Sequence, residues 1–192
     1  MALSTYTEPS TVSSSDVLAA TDHNSEIVES IKHLKGVFDS HAVMVHTVAS
    51  GVAGGTATAS TWNTRPLTGI RTNTNAAGLV GTPSSNQFTL QAGVWRANVR
   101  CAAFYTTQTI IRLYNVTDGG VQSGFDSIAQ NAGGSEAIEI YGGGIFKITA
   151  SKTFEIQMYC TRTQAGNGLG YPVSTGAHEI YLIAEFQCID KD

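Results

Sequence analysis

Charge is scarce in this sequence: only 14% of its 192 residues are Asp, Glu, Lys or Arg, and the net charge is −4. The eleven basic residues are scattered and form no patch or stripe, so nucleic acid is not an expected partner. Cysteine is scarce too. Cys101, Cys160 and Cys188 are odd in number and show no C-x-x-C spacing. Each falls on the apolar side of its strand pattern, so buried free thiols are expected ahead of a bridge from Cys101 to Cys160 or Cys188, and no metal site is expected. No run of about eighteen apolar residues occurs, which argues against membrane insertion. The opening MALSTYTEPSTVSSS has neither a basic start nor an apolar centre, so no cleaved secretion signal is expected.

Catalytic signatures are missing as well. None of His23, His33, His41, His46 and His178 stands in H-E-x-x-H, and no G-x-S-x-G elbow occurs. Glu136 and Glu139 fall on opposite faces of one strand. Gly142-Gly143-Gly144 and the Gly166-x-Gly168-x-Gly170 run neither open a helix nor carry a P-loop lysine, so both read as turns. The expectation is a protein that is not an enzyme and uses no cofactor.

What the chain does have is glycine, with Ser, Thr and Asn crowding the gaps between short apolar runs, a composition that suits strands and tight turns. The stretch 87–117, QFTLQAGVWRANVRCAAFYTTQTIIRLYNVT, reads as three successive strands with two turns. In it Trp95, Ala97, Val99, Cys101 and Ala103 alternate with Val94, Arg96, Asn98, Arg100 and Ala102, the period of two of a half-buried strand. HAVMVHTVA at 41–49 is a first strand, followed by a small-residue connector. Residues 61–72 look extended but are interrupted by Pro66, hence an edge strand or one that changes sheet. Further strands are expected at 122–130, at 136–141 and at 145–150, the last two joined at the glycine triplet. Short strands at about ten-residue spacing argue for a sandwich.

Two late strands show the clearest alternation. In 153–161, Phe154, Ile156, Met158 and Cys160 point one way, with Tyr159 among the residues opposite. In 178–189, Ile180, Leu182, Ala184, Phe186 and Cys188 make a core face, while the other side carries Tyr181, Ile183 and Ile189 between Glu179, Glu185 and Gln187. That second side is too apolar for open water, so the last strand is expected at a contact between subunits. The Gly-rich loop between these strands holds Tyr171, a candidate for stacking on a sugar.

Residues 1–40 differ from the rest. The first fourteen are polar and without period, an extended arm. A helical pattern then runs from Ser15 or Thr21 to Lys35, with Ile27, Val28, Ile31, Leu34 and Phe38 on one side and Gly36 as its stop. The division expected is an arm and helix over 1–40 and a β domain over 41–192.

Four motifs recur together in one known setting: FTLQAGVW at 88–95, RLYNVTDG at 112–119, TFEIQ at 153–157 and EIY at 179–181. With the intervening sequence from Trp62 to Ile189 they resemble a β module of bacteriophage virion proteins. That module is similar to the trimeric jelly roll of the tumour-necrosis-factor and complement-globular-head superfamily. Leu18, Ala20, Asp22 and Asn24 resemble the L-x-A-x-D-x-N segment near the start of phage head and tail appendage proteins. The resemblance implies a mainly β jelly-roll sandwich behind an extended arm and a short helix. It also implies a homotrimer with Tyr159, Tyr181 and Ile183 at the contact between copies. Its attachment helix would use Leu18, Asp22, Asn24, Ile27, Ile31 and Leu34 to dock on the major capsid protein or another virion protein. Such a protein would be made in the host cytoplasm and sit on the outer surface of the virion as a decoration or head fibre. A tail-fibre or baseplate protein recognising host-surface glycans, with Tyr171 as contact, is the alternative.

Overall fold

The computed structural model describes residues 20–38, 40–75, 78, 80–132 and 136–191. It divides into two compact units, residues 1–35 and 36–192. The opening arm and Leu18 lie outside the described residues, as does the side chain of Asp22. Helix α1 spans Ala20–Phe38. It runs past Gly36, where a stop was expected, because one glycine inside a helix costs only about 1 kcal/mol and does not by itself end it.

The β unit is a two-layer antiparallel sandwich. Its strands are β1 (Ser40–Val48), β2 (Trp62–Thr64), β3 (Gly69–Asn75), β4 (Phe88–Leu90), β5 (Gly93–Phe104), β6 (Thr107–Asn115), β7 (Gly120–Val121), β8 (Phe125–Ser127), β9 (Gln130–Ala132), β10 (Ala137–Ile148), β11 (Lys152–Cys160) and β12 (Glu179–Asp190). One sheet has the order β3-β1-β12-β5-β10-β8; the other runs β2-β11-β6-β7, with β4 also on β11 and β9 on β6. The chain changes sheet between β2 and β3, and Pro66 sits in that crossing, where a missing N–H breaks no ladder.

The alternation in β5 holds: Trp95, Ala97, Val99, Cys101 and Ala103 are each 4% exposed or less. They meet Ile111 and Leu113 of β6 and Phe154, Ile156 and Met158 of β11 in one core. Phe88 lies 4.7 Å from Phe186 and 6.0 Å from Phe154 between ring centroids, touching a residue of each sheet. The three cysteines are free and buried, and burial pushes all three thiols up from their ordinary pKa.

Two expectations are corrected. The glycine triplet is not a turn: β10 runs straight through it, and Gly142, Gly143 and Gly144 pair with Val99, Asn98 and Ala97. These glycines allow close backbone approach, since a Cβ on Gly143 would sit 2.5 Å from the Ala97 carbonyl oxygen and one on Gly144 2.0 Å from that of Gly124. The single strand expected over 122–130 is instead split between β8 on the first sheet and the start of β9 on the second.

Candidate functional site

The outer face of the first sheet is built by β1, β12, β5 and β10. Residues directly paired across strands share a face, and the register aligns Val45, Ile183, Arg100 and Tyr141 in one row. Val43, Glu185, Asn98 and Gly143 make the next, followed by His41, Gln187, Arg96 and Ile145. His41 Nε2 lies 2.7 Å from Glu185 Oε1, joining two rows. Tyr141 is 42% exposed, Ile145 54%, and Ile128, whose amide bonds to the Tyr141 carbonyl, 60%. The face thus carries an apolar patch of Tyr141, Ile145 and Ile128 along β10 and the end of β8, separated from Ile183 on β12 by the exposed Arg96, Asn98 and Arg100 of β5. Tyr141 donates a hydrogen bond to Glu139.

Tyr181, expected outside beside Ile183, is buried at 5% exposure. The cause is a bulge. His46 pairs with Leu182 and Thr47 with Ile180, so Tyr181 has no opposite residue, and the strand buries Tyr181 and Leu182 in succession. The phase of the strand inverts there, leaving Ile180 only half-buried and Glu179 buried. The Tyr181 ring lies edge-on to His46 at 5.7 Å and directly under Gly170, where any Cβ would come within 2.1 Å of it. Its hydroxyl donates to Glu179 and stands 2.9 Å from the Val52 carbonyl oxygen. Burial, then the bond to Glu179, pushes the phenol well above its usual pKa.

Glu179 gathers two loops. Besides Tyr181 it accepts from the backbone N–H groups of Gly51, Val173 and Ser174 at 2.8, 3.0 and 2.9 Å. The Tyr181 hydroxyl and these amides hold its carboxyl down at about 2. Beneath them Arg65, fully buried, donates from one terminal nitrogen to the Leu169 and Tyr181 carbonyl oxygens at 2.8 and 2.9 Å. Burial and the Arg65 charge lower His46 to about 4. Arg65 went unremarked in the sequence because nothing distinguishes a buried arginine beside a proline from an exposed one.

Tyr159 lies on the outer face of the second sheet, away from Ile183. Its ring is 5.5 Å from Trp62, whose face carries the Arg112 guanidinium at 3.9 Å. Arg112 also lies 4.8 Å from the Tyr114 ring and donates from Nε to Gln157 at 2.6 Å. Beside this stack a groove is lined by Tyr159, Gln108, Gln130, Asn131 and Thr161. The stack was missed although Ile110, Arg112 and Tyr114 alternate visibly on β6, because its partner Trp62 comes from a distant strand. Tyr171 is 49% exposed but packs at 4.4 Å on Phe104, so only part of its surface is open. Of the helix residues, Asn24, Ile27, Ile31 and Leu34 are all exposed. Among the described residues no group of three His, Cys, Asp or Glu side chains converges to hold a metal, and no helix is long and apolar enough to cross a membrane.

This architecture is an antiparallel jelly-roll sandwich with the fold of a complement globular head. The globular domain of zebrafish complement 1qA protein superposes with a TM-score of 0.51 at 10% identity, covering 80% of this chain and 99% of that one. Two structures of murine APRIL align over 77% of this chain and 99% of theirs at 8% identity, with TM-scores of 0.41 and 0.44. No family model and no curated protein matches the sequence.

Proposed function

We propose that the protein is a homotrimeric structural component of a bacteriophage virion, a capsid decoration or head-fibre protein. Residues 1–40 attach it to the major capsid protein or another virion protein, and the jelly roll projects outward. The observation that carries the self-association is the exposed patch of Tyr141, Ile145 and Ile128 on one sheet face, with Ile183 beyond Arg100 on the same face, because large apolar side chains grouped in water mark a contact surface. Ile183 extends that contact across Arg100 onto β12. Tyr181 supports it from inside the protomer, and Tyr159, on the other sheet, belongs to a separate surface. The phage setting rests on the motifs at 88–95, 112–119, 153–157 and 179–181 and on the segment around Asp22 and Asn24.

Light scattering tests the association: the mass expected is about three times 20.2 kDa. Ile183→Asp should give monomers, while Val121→Asp, on an exposed residue of the other sheet, should leave the mass unchanged. Attachment is tested on undecorated capsids. Full-length protein should bind and residues 36–192, a compact unit of their own, should not. Binding by both, or by neither, overturns arm-mediated docking.

A second reading, recognition of host-surface glycans by a tail-fibre or baseplate protein, is favoured by the groove beside Tyr159. An aromatic ring next to the amides of Gln108, Gln130 and Asn131 offers a sugar both a stacking face and hydrogen bonds. Tyr171, packed on Phe104, offers less.

A further inference from the structure

In α1, Asn24, Ile27, Ile31 and Leu34 follow one another at spacings of three, four and three, and in the sequence Ala20 and Phe38 extend the alternation at either end. This is the seam of a heptad repeat, with Asn24 and Ile31 at the a positions and Ile27 and Leu34 at the d positions. Ile27, Ile31 and Leu34 are 44%, 57% and 55% exposed, and Val28 beside them 46%. The charged side chains Glu26, Glu29 and Lys32 stay off the seam, and Lys32 pairs with Glu29 at 2.7 Å. A helix with this division buries its stripe against something.

From this pattern we infer that the α1 helices of three copies wind into a parallel three-stranded bundle, seam against seam. The seam residues do not by themselves set the number of strands, since Ile27 and Ile31 suit three and Ile31 with Leu34 suits two; the homotrimer reading sets it at three, and a polar Asn24 at one a position fixes the register at some cost in stability. Val28, flanking the seam, widens the apolar stripe beyond what a pair of helices covers. Two heptads are too short to associate alone. Here only residue 39 separates the helix from β1, and β1 places the half-buried Val43 on the face assigned to self-association. Helices tethered to an assembled trimer meet at an effective concentration on the order of millimolar, which suffices for a short seam. The inference rests on the homotrimer reading and narrows the attachment reading: with α1 closed on its own copies, the contact with the particle narrows from residues 1–40 to residues 1–19.

The test is disulfide trapping in the full chain. Ile31→Cys and Glu29→Cys are each oxidised mildly and run on a non-reducing gel beside the unaltered protein, whose own thiols are buried. In a bundle, seam positions of neighbouring helices bring Cβ atoms to within reach of the roughly 4 Å a disulfide needs, whereas Glu29 faces away. About tenfold more covalent dimer is expected from Ile31→Cys than from Glu29→Cys. Trimeric mass with equal trapping at the two positions, or more at Glu29, overturns the bundle and leaves the trimer standing. Monomeric mass overturns both. Ile27→Cys repeats the measurement at a d position should Ile31→Cys fold poorly, and its failure to outpace Glu29→Cys in a trimeric sample is likewise decisive against the bundle.

Discussion

At the scale of single residues, Glu179 and His46 give the fold a predictable response to acid. His46 titrates at about 4 in the folded chain against 6.5 ordinarily, so between those values the unfolded chain binds more protons and stability falls as pH drops. Glu179 titrates at about 2 against 4.5, so its contribution is complete above about 4.5 and is lost on descent toward 2. Urea midpoints measured across this range should fall continuously from about pH 6.5 downward. Glu179→Gln should flatten the lower part of that curve and His46→Gln the upper part. Little of this cluster was legible in the sequence. The buried set of β5 follows from a period of two, but the inward turn of Tyr181 follows from its having no partner on β1 between those of His46 and Thr47, and a bulge leaves no compositional mark. The same one-residue slip is why Ile180 left the face on which the alternation had put it.

At the scale of elements, local signals worked where they were positional and failed where they depended on a neighbour. Pro66 marked the change of sheet because its missing N–H excludes it from the middle of a ladder whatever surrounds it. Gly142, Gly143 and Gly144 were misread because glycine serves turns and close backbone approach alike, and only the position of Ala97 and Gly124 decides between them. The consequence is measurable. Gly143→Val puts a Cβ 2.5 Å from the Ala97 carbonyl oxygen and should cost about 1–3 kcal/mol or more of stability, as overpacking of a tight site does. Val at an ordinary central-strand position would stabilise, so a neutral or stabilising result in a denaturation curve would remove close approach as the reason for the triplet. Helix α1 was legible in its stripe but not in its end, since Gly36 lies within it.

At the scale of the whole molecule, the class of fold was legible from strand spacing and motif resemblance, and the division of its two outer faces was not. Ile183 and Tyr159 both read as outward aromatic or apolar residues on late strands, yet β12 and β11 belong to different sheets, so one sequence signal covered two surfaces. That separation makes the two readings of function independently testable. On a glycan array, Tyr159→Ala should abolish any sugar signal the protein gives while leaving its mass in solution unchanged. A signal that survives Tyr159→Ala but not Tyr171→Ala would move the contact to the Gly-rich loop.

The passage of the chain from one layer to the other at Arg65–Thr68 carries a mechanical corollary. Arg65 is moored to carbonyls of β12 and of the 166–170 turn, and Phe88 touches a ring from each layer a little further on. Peeling either layer away therefore tears out the rivets of the other. The two layers should accordingly unfold as one cooperative unit, which coincident fluorescence and circular-dichroism transitions in urea would check.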